Sequence, residues 1–352
     1  MKAVVFQEPR QRELREVEVP QPSAHEVLVR VRSTTLCATD RKVFEGRFAG
    51  VTYPHIPGHE FSGGIVAVGD AVQGLQEGMR VGIEVHVGCG QCDACLAGYY
   101  TLCAHYGQRE WGHAHVGFTI NGGLAEFVAV PARACHVLPD RVTFDQGAFT
   151  DNVGIALWAI ERAHLRPGER VLIIGPGAIG LLALQLAADA AGRVVLAGTR
   201  EGRLALGYEL GADAVVNVQI HEDPGEAVRD ALGGSADAVI EFAGSESAAR
   251  LALASVRRGG RVVLGGATGQ GVTLNMDLST IVRGHLDVLG SLANPQGVSA
   301  RGLDLIARGS VTVTPLITSS LRLDEFDEAW HRFFEVRDDT IRVMLHPGEG
   351  DE

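Results

Sequence analysis

The sequence predicts an α/β chain made of a β-rich, barrel-like part and an open, doubly wound parallel sheet. Three observations carry this expectation. Short apolar runs separated by turn residues fill the chain before residue 153, six apolar strands alternate with helical segments after it, and a glycine-rich turn joins the first of those strands to a helix.

The runs of the first part are Lys2–Phe6, Glu26–Ser33, Ser62–Val68, Arg80–Val85, Ala125–Val130 and Cys135–Leu138. Each is short and valine-containing, and turn residues close the intervals between them, as in an all-β unit. The later strands are Val171–Ile174, Val194–Ala197, Ala214–Val218, Ala238–Phe242, Arg261–Leu264 and Asp287–Leu289. Helical segments between successive strands require crossovers, hence a parallel sheet. The helix opening near Ala178 is apolar nearly all round, which suits a position between the sheet and other protein. After residue 292 the pattern reads as irregular, ending in the acidic Pro347-Gly348-Glu349-Gly350-Asp351-Glu352, expected to be mobile.

Composition narrows the class. The 352 residues are 46% hydrophobic and 21% charged, a balance that supports a large core rather than disorder. The net charge of −12 argues against nucleic acid or an anionic membrane surface as partner. The N-terminus shows no leader pattern, and the apolar stretch Ile179–Ala188, interrupted by Gln185, is too short to span a bilayer. A soluble, cytoplasmic protein is expected. Four of its six cysteines lie between Cys89 and Cys103, a clustering that favours a metal over disulfides.

The turn Gly175-Pro176-Gly177-Ala178-Ile179-Gly180 follows the strand Val171–Ile174 and opens a helix, the context in which G-x-G-x-x-G binds a dinucleotide. Gly175 allows the tight turn, Gly177 admits the pyrophosphate to the backbone, and Gly180 lets helix and strand approach. The free N–H groups of the helix start then meet the phosphates. NAD-binding folds place an acid at the end of the second strand, against the ribose. Here that place reads Gly198-Thr199-Arg200. Gly198 leaves space, Thr199 can donate a hydrogen bond and Arg200 can pair with a 2′-phosphate, so NADP(H) is expected over NAD(H). The alternative is a solvated Arg200 and NAD.

Cys89, Cys92, Cys95 and Cys103 form C-x2-C-x2-C-x7-C, a set that can close a tetrahedral zinc shell with no open position. Such a site is structural, and its loop from Gly90 to Leu102 carries no Lys or Arg to meet nucleic acid. Two further motifs are dispersed: Leu36-Cys37-Ala38-Thr39-Asp40, and Gly58-His59-Glu60-Phe61-Ser62-Gly63 continuing through Gly69 to Val72. The latter run, G-H-E-x2-G-x5-G-x2-V, resembles the signature of the zinc-containing medium-chain dehydrogenases, which include alcohol, sorbitol and threonine dehydrogenases. The four-cysteine lobe, Gly122-Gly123-Leu124-Ala125-Glu126-Phe127 and the Gly-Pro-Gly-Ala-Ile-Gly turn follow in that family's order, so the resemblance covers nearly the whole chain.

The resemblance implies a GroES-like catalytic domain from residues 1–153 and 292–352, with its zinc lobe near 86–106, and a Rossmann domain over 154–291. It implies two zincs per chain and a homodimer or homotetramer. The catalytic zinc would be held by Cys37, His59 and Asp151, with Glu60 as a supporting group or exchangeable ligand; Asp151 also reads as a helix N-cap. Zinc lowers the pKa of bound water from 15.7 to about 7. A comparable shift in an alcohol is worth on the order of 10 kcal/mol, enough to release a hydride to nicotinamide. Thr39, two residues after Cys37, stands where the family keeps its first relay hydroxyl; a plain structural hydrogen bond is its alternative. Many members carry His five residues after the cysteine, whereas this chain has Lys42, which leaves the later relay open.

Tyr53, Trp111, His113, His115, Phe118 and Asn152 are placed by these motifs as candidate cleft walls, with ordinary packing as the alternative. His113 and His115 alternate and would share a strand face. Their polarity inclines the expected substrate toward a polyol, sugar or amino alcohol. An NAD-linked threonine- or sorbitol-type dehydrogenase, a zinc-free reductase of the same superfamily, and a cofactor-binding member without catalysis are the rival readings.

Overall fold

The computed structural model describes residues 1–266, 271–336 and 338–348. From Glu349 on, the acidic tail lies outside them. The chain divides into two compact units, one of Met1–Asp151, Asn294–Gly309 and Val313–Glu352, the other of Asn152–Ala293 and Ser310–Thr312.

The first unit opens with a hairpin of β1 (Lys2–Glu8) and β2 (Gln11–Glu16), followed by β3 (Glu26–Thr35), α1 (Ala38–Phe44), β4 (Glu60–Val68) and β5 (Arg80–Ile83). Next come β6 (His86–Val87), α2 (Asp93–Leu96), β7 (Ala114–His115), β8 (Phe127–Pro131), β9 (Cys135–Val137), α3 (Phe144–Gly147) and α4 (Thr150–Ala163), which continues into the second unit. Valines and aromatics on alternate positions of β3, β4, β5 and β8 meet in one core, including Val27, Val29, Val31, Phe61, Ile65 and Val81. Each such side chain, fully buried, contributes about 1.5–3 kcal/mol.

In the second unit six parallel strands carry the helices. They are β10 (Arg170–Ile174), β11 (Arg193–Gly198), β12 (Ala214–Asn217), β13 (Ala236–Glu241), β14 (Val256–Leu264) and β15 (Asp287–Gly290). Between them run α5 (Ala178–Ala190), α6 (Glu201–Glu209), α7 (Pro224–Leu232), α8 (Glu246–Ser255) and α9 (Ser279–Gly284). The strand order β12-β11-β10-β13-β14-β15 reverses direction between β10 and β13, the switch point where such sheets bind ligands. Leu181, Leu182 and Leu184 of α5 are wholly buried. Its one polar interior residue, Gln185, donates to the Thr312 carbonyl at 3.0 Å and accepts the Thr312 N–H at 2.7 Å.

The segment after residue 292, read from sequence as irregular, is ordered instead. It forms α10 (Val298–Arg308), β16 (Ile317–Arg322), α11 (Phe326–Phe334) and β17 (Arg342–His346). In α11 Phe326, Ala329, Trp330, Phe333 and Phe334 follow a helical stripe and pack on Val4, Phe6 and Val343. β17 lies parallel to β16 and antiparallel to β3, so the last strand joins the seven-stranded sheet of the first unit. Among the described residues no helix is long and apolar enough to cross a membrane.

Candidate active site and metal centres

Antiparallel pairing of β3 with β4 sets Thr35 opposite Glu60. Cys37, two residues beyond Thr35, and His59, one residue before Glu60, therefore emerge at the same end of the pair. Cys37 Sγ, a ring nitrogen of His59 and a carboxylate oxygen of Glu60 all lie within 4.8 Å of one another.

Charged neighbours hold this group in place. Cys37 precedes α1, and Asp40, in the first turn, accepts the Cys37 N–H at 2.8 Å through Oδ2. The other oxygen, Oδ1, lies 3.3 Å from His59 Nδ1, turning Nε2 toward Glu60, whose Oε1 is 4.0 Å away. Glu60 also receives the Thr35 hydroxyl and, at 3.0 Å, an N–H of the buried Arg342. Burial alone would discharge His59, but the Asp40 carboxylate and the Cys37 sulfur outweigh it and raise its pKa well above the ordinary value. The pocket thus favours positive charge where a thiolate, an imidazole and a carboxylate converge. That donor set and field fit a zinc ion.

Asp151 falls outside this convergence. It sits in the first turn of α4 and accepts the Val85 N–H at 3.2 Å and the Asn294 side-chain amide at 3.5 Å through Oδ1. Burial and the nearby Glu84 carboxylate push its pKa up to about 7, opposed by the Val85 N–H and by His59.

The four-cysteine lobe brings all its sulfurs within 4.8 Å of one another. Cys89 and Cys95 are 3.9 Å apart and Cys92 and Cys103 4.0 Å. Those separations are far beyond a disulfide of about 2.05 Å, but match the edge of about 3.8 Å in a tetrahedron with Zn–S near 2.3 Å. Backbone N–H groups of Cys92 and Ala104 point at Cys89 and Cys92 from 3.4 and 3.5 Å. Against desolvation, the His105 imidazole and these amides draw the Cys89 pKa down to about 5, whereas burial pushes Cys95 up to about 12. Packed sulfurs without a cation cannot all ionise; a divalent ion would let them.

In the second unit the glycine turn follows β10 as the motif requires. Gly175 has φ +104, and a Cβ there would lie 2.8 Å from the Ala243 nitrogen; one on Gly180 would lie 1.9 Å from the Gly175 oxygen. Gly177, the residue capping α5, faces open space. With Ala178 and Ile179 starting the helix, its unpaired amides are open to a phosphate. Beside the turn a cavity of about 740 Å³ is lined by Gly175, Pro176, Gly198, Thr199, Gln219 and Arg229, among others. β11 ends at Gly198 without an acid, Thr199 is exposed and Arg200 is half-buried at the start of α6.

Comparison with known proteins agrees with both halves of this arrangement. Residues 23–140 match the alcohol dehydrogenase GroES-like domain, and residues 178–308 the zinc-binding dehydrogenase family. D-arabitol-phosphate dehydrogenase of Enterococcus avium is 29% identical over 95% of this chain and 94% of its own. A zinc-binding dehydrogenase of Sinorhizobium meliloti 1021 bound to NADP is 31% identical with a TM-score of 0.91, covering 98% of this chain and 99% of that one. The chain belongs to the zinc-containing medium-chain alcohol dehydrogenase family, in its polyol branch. An Escherichia coli CFT073 alcohol dehydrogenase complexed with NADH shares the fold at 26% identity and a TM-score of 0.89, covering 99% of each chain.

Within this dehydrogenase the remaining sequence candidates part company. Thr39 Oγ1 is 3.8 Å from Cys37 Sγ and half-buried, and Lys42 lies one turn further along α1. Phe118 packs on the His59 ring at 4.7 Å, and His115 on Phe118 at 4.1 Å. His113 is buried with Nδ1 accepting the Gly107 N–H at 3.0 Å, and both histidines lie against Tyr106. The Tyr53 hydroxyl donates to the Val43 carbonyl in the core, Trp111 stacks on His105 in the cysteine lobe, and Asn152 is buried in the second unit. Sequence reasoning assigned no role to Asp40, Arg342, Asn294 or His86. Only Asp40 carried a signal: an acid three residues after a helix start is the capping-box spacing.

Proposed function

We propose that the chain is a zinc-dependent dehydrogenase exchanging hydride between NADP(H) and a secondary alcohol, a polyol, sugar or amino alcohol, which it interconverts with the ketone. The observation that carries the reading is the convergence of Cys37, His59 and Glu60 within 4.8 Å. Cys37, His59 and a carboxylate would hold the ion, with Glu60 in this conformation and Asp151 as the group that exchanges with it. Zinc bound there would supply the Lewis acidity that makes an alcohol hydroxyl acidic at neutral pH.

The protein's own groups do the remaining work. Asp40 fixes the tautomer and aim of His59. Arg342 balances Glu60, so that a substrate hydroxyl meets a site of controlled charge. Thr39, half-exposed beside Cys37, takes the hydroxyl proton and hands it toward solvent. Gly177, with the first amides of α5, receives the pyrophosphate, and Thr199 and Arg200 receive the 2′-phosphate. A second zinc on Cys89, Cys92, Cys95 and Cys103 pins the lobe. The enzyme is expected to work in the cytoplasm as a homodimer or homotetramer.

Metal analysis combined with assays of secondary alcohols and polyols in both cofactors tests this. Two zincs per chain are expected, one extractable by a chelator with loss of turnover, and higher kcat/KM with NADP⁺. A fully active zinc-free protein would overturn the metal reading, and a clear preference for NAD⁺ the cofactor reading.

A further inference from the structure

The rings leading away from His59 form one continuous wall. Phe118, against His59, stacks on Phe48 at 4.4 Å between centroids and touches His115, and His115 stacks on His86 at 3.8 Å. The wall starts apolar beside the metal-ligating group and ends in two imidazoles. Backbone geometry makes them neighbours: β6 pairs with β7 so that His86 lies directly opposite His115.

Their protonation is set by what surrounds them. The Tyr106 oxygen is 2.6 Å from Nδ1 of His115. Burial raises the Tyr106 pKa to about 12, so the phenol keeps its proton and donates it, leaving the His115 proton on Nε2. Burial, helped by His113 and His59, lowers the His86 pKa to about 3; burial, His86 and His59 hold His115 well below its usual value. Both rings are neutral at physiological pH. The His86 ring is half-exposed and has no hydrogen-bond partner among the described residues. A neutral imidazole offers one donor and one acceptor, the complement of a hydroxyl, and no charge for a phosphate. Phe48, His86, Tyr106, His115 and Phe118 include no Lys or Arg.

We propose that His86 and His115 are specificity determinants that read an uncharged hydroxyl on the substrate, beyond the one held at Cys37 and His59. The proposal rests on the dehydrogenase reading and narrows it to non-phosphorylated polyols.

The test uses the zinc-loaded enzyme with saturating cofactor and two probes, xylitol and 2-butanol, whose single hydroxyl cannot reach the imidazoles while bound at the metal. In His86→Phe, kcat/KM for xylitol should fall about tenfold through KM, as for one lost hydrogen bond, with 2-butanol within about twofold. Xylitol binding measured by calorimetry should weaken by the same factor. His115→Phe combined with Tyr106→Phe, which leaves no orphaned phenol, should behave alike; if that pair fails to fold, the half-exposed His86 position still decides. Equal losses on both probes, unchanged xylitol binding, no xylitol binding by the wild type, or a preference for D-arabitol phosphate that survives His86→Phe would each overturn the proposal. A wild type that binds xylitol through His86 yet oxidises neither alcohol would leave it standing and remove the dehydrogenase reading.

Discussion

Asp40 grips His59 through one carboxylate oxygen, 3.3 Å from Nδ1, while the other accepts the Cys37 N–H at 2.8 Å. One buried side chain thus orients two members of the metal-ligating group. Asp40→Asn keeps the shape but loses the charge. Zinc affinity at this site is expected to fall about 10–100-fold, as for other outer groups on a ligating histidine. Competition with a chromogenic chelator checks it, with zinc at the cysteine lobe as the internal control.

Arg342 and Glu60 form a buried ion pair at 3.0 Å, both under a tenth exposed. Removing the cation alone leaves a carboxylate without its partner. Arg342→Met should destabilise the protein by about 3–5 kcal/mol in urea unfolding, and adding Glu60→Gln should recover much of that loss.

Asp151 gives a pH signature in zinc-free protein. Its folded pKa, about 7, lies above its ordinary value of 3.8. The folded state therefore binds the extra proton, so this group's contribution is greatest below pH about 4 and is lost as pH rises to about 7. Asp151→Asn, uncharged throughout, should match the wild type near pH 4 and exceed it by roughly 4 kcal/mol near pH 8. Paired denaturation curves across that range read the difference, and parallel curves would contradict it.

Arg200 at the start of α6 is the test of cofactor choice. Arg200→Ala should raise KM for NADP⁺ about tenfold or more, the scale of a charge-assisted hydrogen bond, and leave NAD⁺ within about twofold. Steady-state kinetics with both cofactors measure it.

At the lobe, Cys103→Ser should lower zinc content by one per chain. The sulfur cluster has little other core, only Tyr100 being packed with it. Limited proteolysis should then cut between residues 89 and 105 before any other segment of the first unit, and metal analysis gives the stoichiometry.

The parallel sheet was legible because its strands are buried on both faces. Val171–Ile174 and Val194–Ala197 are unbroken apolar runs that nothing else in a soluble chain explains. β2, with the sequence QRELRE, has no such signal and is a strand only through its pairing with β1. β16, ITSSLR, alternates half-buried with exposed residues and is too polar to stand out, while the stripe of α11 was visible at helical spacing but went unread. The cysteine lobe was readable from spacing alone. Cys37 and His59 became ligands through resemblance, and β-strand register supplies the reason they meet. Arg342 had no signal, since its partner Glu60 lies 282 positions earlier and only the sheet brings them together.

The strand that delivers Arg342 has a consequence for biosynthesis. A ribosome will have released Cys37, His59, Glu60 and the whole nucleotide-binding half before β17 exists. Until that strand docks on β3, Glu60 has no cation beside it. The catalytic pocket must therefore mature at the end of translation, with the final segment acting as the latch.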